Sequence, residues 1–120
     1  MYKIMIVDDA SFMRASIKLM IEKHGFQVIA EAVNGVDAIG KYKETKPDLV
    51  TMDITMPEMS GIESLKKIRE MDPKANIVMV SAMGQEALIR EAVVSGASSF
   101  IVKPFKEDKL VEVLQQVVTK

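Results

Sequence analysis

The sequence predicts a doubly wound α/β domain, a parallel sheet of five strands with helices on both faces. Three observations carry that prediction. Short β-rich runs alternate five times with longer helical patterns. The connections between them are short, which favours parallel neighbours joined by right-handed crossovers. The chain has 120 residues, too few for an eight-unit barrel of about 200 or more.

The elements follow in order. "KIMIV" (3–7) reads as a strand and "SFMRASIKLMIEKH" (11–24) as a helix, with Ser11 as its N-cap and Gly25 as its stop. "QVIAEA" (27–32) is the second strand. Asn34 then caps a helix through "GVDAIGKYKET", and Pro47 closes the loop after it. "DLVTMD" (48–53) is the third strand, followed by a helix over 60–71 with Ile62, Leu65 and Ile68 on one face. "NIVMVSA" (76–82) is the fourth strand, and the helix over 85–95 stops at Gly96. "SFIVK" (99–103) is the fifth strand. The last helix, 106–120, turns Leu110, Val113, Leu114 and Val117 inward. Glu107 and Asp108 stand in its first turn, where the helix dipole favours acids. Five such units fit the flavodoxin-like strand order 2-1-3-4-5 and a single domain over 1–120.

Composition narrows the function. A net charge of −1 gives no bulk reason to bind nucleic acid or a membrane surface. Hydrophobic residues make up 48% of the chain, the ordinary range for a folded domain. No apolar stretch approaches the about 20 residues that cross a bilayer, and acids interrupt the first apolar run at once, which excludes a signal peptide. The absence of cysteine excludes disulfides and thiolate chemistry. A cytoplasmic protein is expected.

Ligands of such sheets bind beyond the carboxyl ends of the strands, where the strand order reverses. Strand one ends in Asp8 and Asp9, strand three in Asp53, strand four in Ser81 and strand five in Lys103, so all five belong on one edge. Taken alone, Asp8–Asp9 reads as a helix cap and Asp53 as a cap or turn residue. Together with Lys103 on the same edge, a site is the stronger reading. Three carboxylates in one small site repel each other and need a positive partner. Oxygen ligands with no His or Cys beside them point to Mg²⁺, or Mn²⁺, over zinc. Lys103 adds a second positive charge and Ser81 a neutral donor. Acids, a cation, a lysine and a hydroxyl suit phosphoryl transfer to a carboxylate. Asp53, alone on the central strand, leads as the nucleophile.

The "VDD" of 7–9, "MDITMPEMSG" of 52–61, "VSA" of 80–82 and "VKPF" of 102–105 resemble, in order and spacing, the receiver domain of two-component response regulators. The resemblance spans the whole chain. It implies phosphorylation of Asp53 by a histidine kinase, with no turnover of an external substrate. It implies Mg²⁺ held by Asp8, Asp9, Asp53 and the backbone carbonyl of Thr55, with Ser81 and Lys103 on the phosphoryl group. Phe100 stands at the family's switch-aromatic position, where many members carry Tyr, and Ser81 stands where Thr is frequent. A cis Lys103–Pro104 bond is also implied. "MDITMPEM", "SAMGQ" and "FIVKPF" are most similar to the chemotaxis regulators of that family. This implies a stand-alone monomeric switch that signals to a flagellar switch protein, with a phosphatase of the CheC or CheX type.

Rival readings differ in class. A phosphorelay intermediate, or a receiver from a larger regulator, shares every motif. A phosphatase of the haloacid-dehalogenase kind needs an acid two residues after its nucleophile, where Thr55 stands. A flavin carrier needs a hydroxyl- and glycine-rich first loop, where "DDASF" stands. His24 reads as an exposed residue at a helix end, and Lys41, Lys43 and Lys46 as a solvated one. Gly61 reads as a point of backbone approach, and Met59 and Met83 as residues near the site mouth.

Overall fold

The computed structural model describes residues 1–119. Strands β1 (Tyr2–Val7), β2 (Phe26–Ala32), β3 (Leu49–Asp53), β4 (Ile77–Ser81) and β5 (Ser99–Val102) form one parallel sheet of order β2-β1-β3-β4-β5. They alternate with helices α1 (Ser11–Glu22), α2 (Gly35–Thr45), α3 (Gly61–Met71), α4 (Glu86–Val94) and α5 (Glu107–Val118).

The period-2 alternation of each strand divides the apolar residues between two cores. Met5, Val7, Val50, Met52, Ile77 and Met79 meet Ala38, Ile62, Leu65, Ile68 and Ala92 beneath α2, α3 and α4. Ile4, Ile6, Leu49, Val78, Val80 and Ile101 meet Ile17, Ile21, Leu110 and Leu114 beneath α1 and α5. The four inward residues expected on the last helix are all buried. Lys120 lies outside the described residues.

Local chemistry sets the helix ends. The Asn34 side chain accepts from Asp37 N at 2.8 Å, as its position predicts. Ser60 and Glu63 form a reciprocal capping box at the start of α3. Ser11 does not cap α1. Ala10 holds the N-cap position, and Ser11 is already inside the first turn. The helix starts a residue early because Asp8 Oδ1 accepts from Ala10 N at 2.9 Å and turns the chain there. Gly25 and Gly96 lie at φ +86° and +107°, conformations that suit glycine at a chain reversal.

The parallel register brings the strand tips level. Val7 pairs with Met52, Asp53 with Val80, and Ser81 with Val102. The ladder continues one step past the strands, with Asp8 N donating to Ala32 O at 3.1 Å and Lys103 N to Ser81 O at 2.8 Å.

Candidate functional site

The level tips place Asp8, Asp9 and Asp53 together. One carboxylate oxygen from each lies within 4.8 Å of the others, the one such acidic group among the described residues. Asp8 and Asp53 are buried and Asp9 is exposed, so the cluster opens to solvent on one side. Lys103 Nζ stands 3.5 Å from Asp8 Oδ2 and 3.7 Å from Asp53 Oδ1. The Lys103–Pro104 peptide is cis.

Burial of Asp53 pushes its carboxyl up to about 6, and the neighbouring Asp8 and Asp9 charges add to the rise, while the Lys103 ammonium opposes it. One lysine does not compensate three acids. The donor set is all oxygen, with no imidazole or thiolate in the group, and this fits a hard divalent cation.

The backbone around Asp53 is tightly fixed. Gly61 N donates to Ile54 O at 2.7 Å, which folds the start of α3 back onto the strand tip. Gly35 N donates to Met59 O at 3.2 Å, and the buried Ser64 hydroxyl donates to Gly35 O at 2.9 Å. Arg14 Nη1 donates to Asp8 O at 2.7 Å while its Nε meets Glu31 Oε1 at 3.0 Å. The Ser64–Gly35, Gly35–Met59 and Arg14–Glu31 contacts join separate elements, and only the glycine approach at Gly61 had a local signal.

Ser81 ends β4 fully buried, and its Oγ has no hydrogen-bond partner among the described residues. Thr55 is exposed two residues beyond Asp53, its hydroxyl accepting from Gln85 Nε2 at 2.9 Å. Phe100 is 42% exposed and lines, with Met83, Ile89, Arg90 and Val93, an open cavity of about 530 Å³ between α4 and β5. Met83 is exposed at that cavity, whereas Met59 belongs to the Gly35 contact.

His24 is exposed, as expected, but it and Lys41 both have partners. His24 Nε2 lies 2.9 Å from Glu107 Oε2, at the start of α5. Lys41 Nζ donates to the Glu31 carbonyl and to Asp37. Glu107 and the Glu31 carbonyl come from other segments, whereas Asp37 stands one turn before Lys41 on α2. No described helix is long and apolar enough to cross a membrane.

Fold and cluster together define an α/β domain whose polar site sits at the switch point of its sheet, built by the tips of β1, β3, β4 and β5. The chain belongs to the response regulator receiver domain family, whose model matches residues 4–115. It is 54% identical to the chemotaxis protein CheY of Bacillus subtilis over 117 residues, covering 98% of each chain. It is 55% identical to the chemotaxis protein CheY of Thermotoga maritima, covering 96% of each. Among solved structures, a chain of the CheX-CheY-BeF3-Mg complex from Borrelia burgdorferi superposes with a TM-score of 0.94 at 38% identity. That match covers 99% of this chain and 90% of the other.

Proposed function

We propose that residues 1–120 act as a single receiver unit of a chemotaxis response regulator, switched by phosphorylation of Asp53. The observation that carries this reading is the convergence of three carboxylates with Lys103 at one strand edge. The relatives named as chemotaxis proteins support the pathway assignment. In the transfer step an Asp53 oxygen attacks the phosphorus of a phosphohistidine on a histidine kinase. The P–N bond breaks, an acyl-phosphate O–P bond forms, and the imidazole keeps the electron pair.

Asp8, Asp9, Asp53 and the Thr55 carbonyl would hold Mg²⁺, with Mn²⁺ as a substitute. When bound, the ion supplies positive charge for the phosphoryl oxygens. Lys103 pairs with the same oxygens as a point charge, and the Ser81 hydroxyl at the tip of β4, without a partner among the described residues, is a neutral donor. Phosphorylation adds about −1.5 to −2 charge and three strong acceptors. Ser81 moves toward them, and Phe100, now partly exposed, packs inward. The changed surface around β5 would meet a flagellar switch protein. A phosphatase of the CheX or CheC type would end the signal, a partner class suggested by the CheX-CheY neighbour. We place this action in the cytoplasm, on a monomer, without an external substrate.

Intact mass after incubation with acetyl phosphate tests the reading. One Mg²⁺-dependent phosphoryl adduct is expected on the wild type and none on Asp53→Asn. A folded wild type without an adduct would overturn it.

A further inference from the structure

Gln85 precedes α4 at the N-cap position, yet its side chain caps no backbone group of that helix among the described residues. It reaches outward instead. Its Oε1 accepts from Ala82 N at 2.7 Å, and its Nε2 donates to Thr55 Oγ1 at 2.9 Å. One amide therefore ties together the two loops that flank Asp53. Thr55 lies two residues past Asp53, and Ala82 immediately follows Ser81.

The chain between the tied points is Met83 and Gly84, both exposed, with Gly84 at φ +86° and open space around it. That turn has room to change shape. Just inside it the Ser81 hydroxyl is buried without a partner among the described residues, an arrangement that disfavours the present state. The Ala82 N–H is already taken by Gln85.

We propose that Gln85 is a positioning residue that latches the β4–α4 turn in the unmodified state and opposes its closure on a phosphoryl group at Asp53. The proposal rests on the phospho-acceptor reading above. A phosphoryl group brings three acceptors beside Ser81 and Ala82. To point the hydroxyl and the N–H at them, the turn must rotate, and the Gln85 bridge must open. The latch thus sets how far the free protein stands from its modified form.

Beryllofluoride, a phosphoryl mimic, tests this in the presence of Mg²⁺ by equilibrium binding. Gln85→Ala should bind it about threefold to fivefold more tightly than wild type, the factor expected from one modest hydrogen bond. Thr55→Val, which frees only one end of the bridge, should tighten binding less. The double variant should bind no tighter than Gln85→Ala alone, since both act on one contact. Amide exchange gives a second readout. Without the mimic, the Ala82 amide should exchange faster in Gln85→Ala than in wild type, and the mimic should slow it in both. Tighter binding with a loosened turn separates a latch from general damage to the fold, which weakens binding. Equal or weaker binding by a folded Gln85→Ala would overturn the latch alone. Absence of Asp53-dependent binding in the wild type would overturn the phospho-acceptor reading and the latch with it.

Discussion

Gly61 leaves no space for a side chain against Asp53: a Cβ placed on it would stand 2.0 Å from the Asp53 carbonyl oxygen. The atom it would meet is backbone at the end of a fully buried strand, so neither side yields easily. Gly61→Ala should therefore lower stability by about 1–3 kcal/mol, the range for overpacking a well-packed site. It should also weaken Mg²⁺ binding, because the displaced atom belongs to Asp53 itself. Urea denaturation and Mg²⁺ titration of the same variant check both effects.

The raised Asp53 carboxyl gives a pH dependence with a definite sign. Its folded value is about 6 and its ordinary value 3.8. Above pH 6 both folded and unfolded states are ionised, and the unfavourable charge is fully present in the fold. As pH falls from 6 toward 4, the folded state takes up the proton first, so this residue's contribution to stability rises. Asp53→Asn lacks the charge at every pH. In EDTA, the variant should be more stable than wild type at pH 8, and the difference should shrink between pH 6 and 4. Denaturation midpoints of the two proteins across that range measure it. Lys103→Met should move the Asp53 titration upward, since its ammonium opposes the rise.

Thr51 lies one pleat inward from Asp53 on β3, and its hydroxyl is buried without a partner among the described residues. Leu49, two positions earlier on the same face, packs with Ile4, Ile6 and Val78. Replacing a hydroxyl by a methyl of similar shape removes the unsatisfied group. Thr51→Val should raise stability by about 1 kcal/mol, read as a higher urea midpoint, with Mg²⁺ affinity unchanged.

Glu58 sits at φ 68°, inside a tight turn closed by Met59 N donating to Pro57 O at 2.9 Å. A Cβ is disfavoured there by about 1 kcal/mol or more. Glu58→Gly should stabilise the protein by about 0.5–1 kcal/mol, the strain relieved less the added freedom of the unfolded chain. Thermal melts check this, and a lower melting temperature would refute it.

Much of this architecture was legible because its rules are local or periodic. Asn34 announces α2 by its capping chemistry, and the alternation in "DLVTMD" assigns Val50 and Met52 to one core and Leu49 to the other. Parallel topology then carries Asp8, Asp9, Asp53, Ser81 and Lys103 to one edge without any knowledge of distance. What escaped depends on side chains that cross the fold. Arg14 meets Glu31 from 17 residues away, and Glu107 meets His24 from 83 residues away. Gln85 abandons its own helix, and the sole hint was an amide where a short capping side chain is usual. The start of α1 was displaced for a similar reason: Asp8 turns the chain by bonding Ala10, so the hydroxyl of Ser11 was not needed.

Helix α4 buries only Ala92 completely, with Leu88 and Ile89 half-covered against the sheet. Its outer residues Arg90, Val93 and Val94 are exposed. For an evolving lineage this separates two kinds of change. On the function proposed above, substitutions on that outer face change what the protein recognises while leaving both cores and the acidic cluster untouched. A new partner can then be acquired by drift on one helix, with the acidic cluster inherited intact.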